Sequence, residues 1–292
     1  MEKISVKEST DNPRILQRQD LDRLPARPKD GHKGRFGRVA VVGGSVAMSG
    51  AGFLCAKAAY RAGAGLVELF APEENRIIYQ TQLPEALLSL YDNTAPDLAQ
   101  LGRLFERADA VALGMGLSRG KNCRDFLRHA LRYCDKPLIL DADALNELSG
   151  AGECRQLLRE RTAPTILTPH MGEAARLTFC TAAEIRQNRI AFAKELATDT
   201  ASIVVLKDAE TVITDGTATY INRFGNDGMA TGGSGDVLAG IIAAFAVRSN
   251  PLEAACLGVL AHALAGDCAA ERCGRHGLMA SDIIEGLCVF LP

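Results

Sequence analysis

The sequence predicts an α/β protein in which helices cover both faces of a mostly parallel central sheet. Two observations support a single domain of this fold. Segments that are apolar along their length after a first charged residue, such as 38–42 and 109–113, alternate with longer helical stretches. Strands buried on both faces have this composition, whereas strands of a sheet with one solvated face alternate apolar and polar residues. No repeat and no linker rich in Pro or Ser divides the chain after residue 38, which indicates one domain.

The individual elements follow from where the apolar segments begin and end. The strand candidates are 38–42, 66–70, 109–113, 137–141, 164–168, 202–206, 210–214 and 218–221. Helices are predicted at 51–62, 121–134, 143–149, 152–161, 173–180, 182–198, 236–247, 252–272 and 281–290. Few residues join 202–206 to 210–214, so we expect these two strands to pair antiparallel. Residues 1–24 are predicted to form an N-terminal arm, and residues 25–292 a single domain.

Composition excludes several classes of protein. The 292 residues include 33 basic and 35 acidic side chains, whereas nucleic-acid-binding proteins usually carry a basic excess. Hydrophobic residues make up 47 %, which excludes a disordered chain. The amino terminus is polar and no apolar run approaches the ~20 residues of a membrane-spanning helix, so we expect no membrane partner. The nine cysteines form no C-x-x-C pair, and buried free thiols are typical of a cytoplasmic protein.

Glycine is over-represented, and its positions suggest why. Of the 292 residues, 28 are glycine. This share of about 10 % is above the usual ~7 %. Many fall in three clusters, at 43–52, 114–120 and 225–235, and the first two directly follow predicted strands. Because ligands of open α/β sheets bind outside the carboxyl ends of the strands, these clusters mark a candidate ligand site. Taken alone, each of the first two is equally compatible with a simple tight turn.

Polar side chains follow other strands at the same predicted edge. Asp141 and Asp143 end one strand, His170 follows the next, and Lys207 follows the one after that. The two carboxylates could hold a magnesium ion or its waters, although Asp143 could instead cap the next helix. His170 could be a ligand-binding group or a structural histidine. The sequence therefore predicts that carboxylate, imidazole and ammonium groups converge at this edge.

The most specific motif is GNDGMATGGSGD at 225–236, which leads into an apolar helix. Consecutive backbone N–H groups there would meet the positive end of the helix dipole and form an anion hole for phosphate. Asp236 could simply cap the helix, but a cap requires no such density of glycine. An anion hole beside a carboxylate suits phosphoryl transfer to a hydroxyl whose proton the carboxylate accepts. The residues predicted to form the anion hole are Gly232, Gly233, Ser234 and Gly235.

Together these motifs resemble those of the ADP/ATP-dependent NAD(P)H-hydrate dehydratases, within the ribokinase-like superfamily. The segments that carry the resemblance are HKGRFGRVAVVGGS, LILDADALN, TPHMGEAARL, VVLKDAET and GNDGMATGGSGDVLAGII, within about residues 25–290. The resemblance implies a ribokinase-like three-layer sandwich. It also implies a carbon–oxygen lyase that restores NADH or NADPH from the S-epimer of its hydrate, with release of AMP and phosphate when ADP is consumed.

The resemblance further implies roles for individual residues. Asp236 would be the catalytic base. The hydrated substrate would contact Ala51, Gly116, His170 and Asp236. The nucleotide would contact Lys207, Asp208, Ala209, Glu210, Thr211 and Gly235. Glu173 would help to organise Mg²⁺ indirectly.

Several expectations complete this interpretation. The family's hydrate epimerase half would need about 200 further residues, so we expect the dehydratase activity alone. We favour ADP over ATP as the co-substrate and expect a homotetramer, both from the resemblance. The basic cluster at 27–38 could contact substrate phosphates or be a solvated arm. The alternative function is that of a ribokinase-like vitamin kinase that phosphorylates a small heteroaromatic alcohol.

Overall fold

The strands of the protein form one sheet. The computed structural model describes residues 12–150, 152–289 and 291, so residues 1–11 of the predicted arm lie outside the described ranges. The strands are β1 (Arg14–Ile15), β2 (Arg38–Val42), β3 (Leu66–Pro72), β4 (Leu87–Tyr91), β5 (Ala110–Leu113), β6 (Leu138–Leu140), β7 (Thr165–Leu167), β8 (Ile203–Leu206), β9 (Thr211–Thr214) and β10 (Thr219–Asn222). Their order in the sheet is β1-β10-β9-β8-β7-β6-β5-β2-β3-β4. All pairs from β4 to β8 are parallel, and β9 is antiparallel to both its neighbours. The predictions of a mostly parallel sheet and of an antiparallel pair near its end are confirmed.

Helices pack on both faces of this sheet. They are α1 (Ser49–Arg61), α2 (Arg76–Gln82), α3 (Leu98–Arg107), α4 (Lys121–Tyr133), α5 (Asp143–Gly150), α6 (Gly152–Glu160), α7 (Met171–Thr178), α8 (Ala182–Gln187), α9 (Arg189–Thr200), α10 (Ser234–Ala246), α11 (Pro251–Gly277) and α12 (Ala280–Gly286). One core joins the sheet to α1, α10, α11 and α12, and a second core joins its other face to α3 through α9. The three-layer arrangement is therefore confirmed.

Strand β2 illustrates how the sequence specifies these two cores. Its side chains alternate between the faces of the sheet, as strand geometry requires. Val39 and Val41 belong to the core under α1 and α10, whereas Ala40 and Val42 belong to the opposite core. All four residues are completely buried, so an uninterrupted apolar segment was the correct signal for a strand covered on both faces.

Between residues 71 and 108 the sequence predicted no elements, and the structure contains three. Strand β4 lies at the edge of the sheet, where its partly exposed residues break the pattern of a buried strand. Helix α3 begins after Asp97, whose Oδ1 accepts a hydrogen bond from the backbone N–H of Ala99 at 2.8 Å.

The single helix predicted over 182–198 is two helices, because Asn188 leaves the helical conformation between α8 and α9.

The described part of the predicted arm, residues 12–24, packs on the sheet. Arg14 and Ile15 form β1, which pairs in parallel with β10 at the sheet edge. Leu16, which follows β1, is 1 % exposed and belongs to the core under α11. The packing therefore continues through the predicted boundary at residue 25.

The basic cluster at 27–38 lies at the amino end of the sheet. It precedes β2, and the backbone N–H of Gly65, just before β3, donates to the carbonyl of Phe36. The guanidiniums of Arg27 and Arg248 lie 3.7 Å and 5.4 Å from the centre of the Phe36 ring. Since the glycine clusters follow the strands at their carboxyl ends, this cluster is at the opposite edge. This position does not favour a contact with substrate phosphates in the same chain, and that contact stays a prediction.

Helix α11 is long and apolar enough, by length and composition, to cross a membrane, but it lies inside the fold. Of its most apolar 18-residue window, 78 % is buried. It packs against α10, and its regular conformation ends at Gly274, where φ is +70°. A helix buried in this way can be apolar all round without any contact with lipid.

Candidate active site

The carboxyl edge of the sheet brings together the segments that the sequence singled out. Strands β8, β7, β6, β5 and β2 are consecutive neighbours, and each ends at this edge. The residues that follow them are Lys207, His170, Asp141, Gly114 and Gly43, in that order across the sheet. The amino end of α10 lies against the same residues, because Gly235 is in direct proximity to Lys207 and Asp141. The predicted convergence is confirmed by this topology.

An ion pair between Lys207 and Asp141 forms the centre of the site. The Lys207 Nζ atom donates to Asp141 Oδ1 at 2.8 Å, and the Asp141 side chain is only 3 % exposed. Burial lowers the pKa of Lys207, but the carboxylates of Asp141 and Glu173 outweigh it and leave that pKa raised. A Cβ atom at Gly235 would lie 3.2 Å from Lys207 Nζ and 3.3 Å from Asp141 Oδ2. Glycine at 235 therefore allows the first turn of α10 to approach the ion pair closely.

Asp236 presents a carboxyl group with an unusual pKa. Burial, reinforced by repulsion from Asp141, raises its pKa from 3.8 to about 7, although Lys207 opposes the shift. No hydrogen bond to this carboxyl group is made within residues 12–150, 152–289 and 291, so it does not act as a helix cap there. A group with a pKa near neutrality that makes no structural bond can accept and release a proton at physiological pH.

The glycine-rich turn before α10 exposes backbone donors as predicted, with one exception. Gly233 adopts a left-handed conformation, with φ at +91°, immediately before the helix begins at Ser234. Among the described residues, the N–H groups of Gly232, Gly233 and Gly235 have no hydrogen-bond acceptor. The N–H of Ser234, in contrast, donates to the carbonyl of Thr231 at 3.3 Å, and its hydroxyl faces His262. Ser234 is thus the predicted anion-hole residue whose polar groups are already engaged.

His170 and Glu173 form a capping box at the start of α7. The His170 Nδ1 atom accepts from the backbone N–H of Gly172, and the backbone N–H of His170 donates to Glu173 Oε2, both at 2.9 Å. Burial and the charge of Lys207 lower the pKa of His170, so its imidazole is neutral at physiological pH. The ring remains 55 % exposed, which leaves its outer edge available to a ligand. The two alternatives for His170 are therefore compatible.

Glu173 is not free to be a simple metal ligand. Its Oε2 is engaged with the His170 backbone, its Oε1 lies 3.4 Å from the His170 Nε2, and it is buried. Burial raises its pKa to about 7, against the opposing effect of Lys207. In the described parts of the chain no group of three or more His, Cys, Asp or Glu side chains is arranged to hold a metal ion. A magnesium ion here would need oxygens from a ligand and water to complete its shell.

The first two glycine clusters meet each other beside this charged group. Gly116 has φ at +60°, and a Cβ atom there would lie 2.6 Å from the Cβ of Ala51. Ser118 extends the contact, since its hydroxyl donates to the Ser45 hydroxyl at 3.0 Å and its backbone N–H to Asp143 Oδ2 at 2.9 Å. Asp143 therefore orders the neighbouring loop, and its carboxylate is used for this contact.

The predicted nucleotide segment 207–211 fills the turn between β8 and β9 and ends at Thr211, the first residue of β9. Only Lys207 points into the charged centre. Asp208 pairs with Arg186 at 3.6 Å, and Glu210 pairs with Arg189 and Arg223 at 2.6 Å and 3.0 Å. These arginines were not predicted from the sequence, because they come from α8, α9 and the segment after β10, which the chain brings together only on folding.

Comparison with known proteins gives matches over most of the chain. The profile of the family described as NAD(P)H-hydrate dehydratase (Carb_kinase) matches residues 39–288. The chain is 43 % identical over 278 residues to the bifunctional NAD(P)H-hydrate repair enzyme Nnr of Moorella thermoacetica, covering 92 % of this chain and 51 % of that protein. It is 40 % identical over 262 residues to the ADP-dependent (S)-NAD(P)H-hydrate dehydratase of Neisseria meningitidis serogroup B, covering 88 % of this chain and 86 % of that one. The chain thus spans about half the length of the bifunctional relatives that it matches.

Solved structures are similar over nearly the whole chain. A ribokinase-like superfamily protein from Enterococcus faecalis V583 has a TM-score of 0.83 and 29 % identity, covering 97 % of this chain and 98 % of that one. An ADP/ATP-dependent NAD(P)H-hydrate dehydratase from Bacillus subtilis, co-crystallised with ATP and Mg²⁺, has a TM-score of 0.80 and 28 % identity. The second match covers 96 % of this chain and 97 % of that one. The fold is therefore ribokinase-like, as predicted.

Proposed function

This chain belongs to the NAD(P)H-hydrate dehydratase family, and we propose that it uses ADP to dehydrate the S-epimer of hydrated NADH or NADPH. The observation that carries this proposal is Asp236, a carboxyl group of pKa about 7 in the turn that follows unpartnered backbone N–H groups. A base and an anion hole at adjacent positions suit phosphoryl transfer from a nucleotide to a hydroxyl. The name of the Neisseria meningitidis relative supports the choice of ADP and of the S-epimer.

The chemistry turns a poor leaving group into a good one. The carboxylate of Asp236 accepts the proton of the ring hydroxyl, whose oxygen forms a bond to the terminal phosphorus of ADP while the bond to AMP breaks. The ring nitrogen lone pair then expels phosphate as the carbon–oxygen bond breaks. Loss of a proton from the neighbouring ring carbon restores the double bond of NADH or NADPH. The N–H groups of Gly232, Gly233 and Gly235 stabilise the charge on the transferred group.

Other residues position the two substrates. Lys207 presents its ammonium group beside Gly235, where it can neutralise charge on the nucleotide phosphates. The exposed edge of His170, together with Ala51 and Gly116, forms the side of the site proposed for the hydrated ring. Mg²⁺, when bound with the nucleotide, neutralises phosphate charge, and Asp141 and Glu173 are the carboxylates that would hold its water ligands.

We further propose a homotetramer in the cytoplasm, and a single domain in which residues 12–24 pack together with the predicted range 25–292. These points rest on the resemblance to the dehydratases and on the free thiols, since Cys55, Cys123 and Cys154 are buried. Light scattering on the purified protein checks the assembly. A mass other than four times that of one chain contradicts the tetramer and leaves the proposed reaction unaffected.

A spectroscopic assay tests the proposed reaction. The protein is incubated with enzymatically hydrated NADPH, ADP and Mg²⁺, and the absorbance of the reduced nicotinamide ring is followed. We expect that absorbance to return only when nucleotide is present. A parallel incubation with a thiazole or pyrimidine alcohol tests the alternative vitamin kinase. Formation of its phosphate ester, with no return of the nicotinamide absorbance, would contradict the dehydratase function.

The pH dependence of the reaction should follow Asp236. Only the carboxylate form can accept the proton, so kcat/KM for the hydrate should fall as the pH drops through about 7. Below that value the loss should approach tenfold per pH unit, because one protonation inactivates the base. Initial rates between about pH 5 and pH 9 measure this profile. A kcat/KM that stays constant below neutrality would contradict the assignment of Asp236 as the base.

Replacing Gly116 with alanine should weaken binding of the hydrate. The new Cβ would lie 2.6 Å from the Cβ of Ala51, and φ at +60° is unfavourable for alanine, so the loop at Gly116 must move away from the start of α1. We expect KM for the hydrate to rise about tenfold, equivalent to ~1.4 kcal/mol, with a smaller change in KM for ADP. Gly50→Ala is the control, because no atom lies within 4 Å of the Cβ it would add. Equal effects of both substitutions would contradict a role for Gly116 in this contact.

A further inference from the structure

Helix α11 contacts both ends of the glycine segment 225–236, which carries the anion hole and Asp236. One contact is made by Asp267 and the other by His262, and both side chains come from an otherwise apolar part of this helix. Neither residue was selected from the sequence. Both lie in a segment whose composition predicts only a buried helix.

Asp267 fixes the beginning of the segment. Its Oδ2 accepts from the backbone N–H of Gly225 at 3.0 Å, and its Oδ1 accepts from Asn226 Nδ2 at 2.9 Å. The Asn226 amide also donates to the carbonyl of Gly266 at 3.1 Å, while its Oδ1 accepts from the N–H of Gly228 at 3.1 Å. The amide of Asn226 is therefore held from both sides, and its orientation is determined by the carboxylate of Asp267.

His262 fixes the end of the segment. Its Nε2 lies 3.3 Å from the hydroxyl of Ser234, and both residues are 9 % exposed. Burial lowers the pKa of His262 to about 4, so at physiological pH the ring is neutral and has one donor and one acceptor nitrogen. A buried imidazole without a partner would be costly, and Ser234 provides the partner. The pair thus holds the first residue of α10.

The segment between these contacts needs such support. It contains five glycines, and Gly233 adopts a left-handed conformation next to unpartnered N–H groups. Glycine loses more conformational freedom on ordering than any other residue, so an anion hole made from it is not rigid by itself. Electrostatic stabilisation of a transition state requires donors that are oriented before the reaction. External contacts at both ends can provide that order.

We propose that His262 and Asp267 are positioning residues that hold the two ends of the glycine segment, so that its backbone N–H groups and Asp236 are oriented for phosphoryl transfer. This inference rests on the proposed function. The Ser234 hydroxyl and His262 do not form a nucleophile and base, because Ser234 is buried and no carboxylate contacts the imidazole among the described residues. The role of the pair is to fix the backbone.

Kinetic analysis of variants tests the proposal. We expect Asp267→Asn and His262→Leu each to lower kcat about tenfold to hundredfold, with KM for the hydrate changed less than threefold. His262→Asn should recover part of the lost kcat, because its amide can still bond to the Ser234 hydroxyl. Asp125→Asn is the matched control, since Asp125 pairs with the exposed Lys121 on α4, and it should leave kcat unchanged. Thermal unfolding of each variant gives the fraction that is folded at the assay temperature.

A double-mutant cycle separates positioning from a general loss of stability. Ser234→Ala and His262→Leu should together lower kcat no more than His262→Leu alone, because both remove the same contact. The positioning role is overturned if the two effects multiply, or if the loss of kcat only follows the unfolded fraction. If the wild-type protein restores no NADPH, the proposed function fails, and the same cycle is then measured on the Kd for ADP. If Ser234→Ala and His262→Leu change that Kd independently of each other, the positioning role is overturned, whatever reaction the protein catalyses.

Discussion

Replacing Asp236 with asparagine should lower turnover about a thousandfold while ADP still binds. The substitution keeps the size of the side chain and removes only its ability to accept a proton. The substitution removes a negative charge from a site that already contains the carboxylate of Asp141. It should therefore not weaken binding of an anionic nucleotide. Turnover and calorimetric ADP binding measure the two effects. An unchanged turnover would show that Asp236 is only a residue of the first helical turn.

The same substitution should change how stability depends on pH. The pKa of Asp236 is about 7 in the folded protein and 3.8 as its ordinary value, so the folded state binds the proton more tightly than the unfolded state. This group therefore lowers the free energy of unfolding as the pH rises from about 4 to about 7. Asp236→Asn should remove that decrease, which chemical denaturation at several pH values measures. A decrease of the same size in the variant would contradict the raised pKa.

Among the single substitutions proposed for the site, Lys207→Met should produce the largest loss in the free energy of unfolding. Lys207 is the cation bonded to the buried Asp141, and the carboxyl groups of Glu173 and Asp236 also interact with it. Without it, Asp141 is an uncompensated buried charge, which costs about 3 kcal/mol in the free energy of unfolding. ADP affinity should also fall, because the ammonium group proposed to face the phosphates is lost. Urea denaturation and calorimetry measure the two quantities.

A second substitution controls for this interpretation. Lys207→Met combined with Asp141→Asn removes both charges, so most of the lost stability should return while ADP affinity stays low. If the double variant is as unstable as Lys207→Met alone, the ion pair is not the reason for the loss. Matching recovery of ADP affinity would contradict a direct role for the Lys207 ammonium group in nucleotide binding.

The sequence was most informative where one local rule determines the structure. Strand β2 is apolar from Val39 to Val42 and is buried there on both faces, and the density of glycine before Asp236 indicated a backbone that leaves ordinary conformations. Topology then brought Asp141, His170 and Lys207 to one edge, because parallel strands end on the same side. Their roles as site residues remain predictions, and the variants of Lys207 and Asp141 test two of the three.

Other features depend on contacts that no local pattern reports. Strand β4 was missed because a strand at the sheet edge has exposed positions and lacks the continuous apolar pattern. His262 and Asp267 are polar residues of a core helix, and only folding brings them within hydrogen-bond distance of Ser234 and Gly225. The raised pKa of Asp236 likewise depends first on burial in the folded protein and then on Asp141, which is distant in sequence.

The stoichiometry of a single reaction tests the central claim most directly. Purified protein is given hydrated NADPH and ADP, and the restored NADPH, AMP and phosphate are quantified at successive times. The proposed mechanism predicts one AMP and one phosphate for each NADPH restored. The phosphate ester of the hydrated nicotinamide ring should not accumulate. Consumption of ADP without restored NADPH, or restored NADPH without consumption of ADP or ATP, would contradict it.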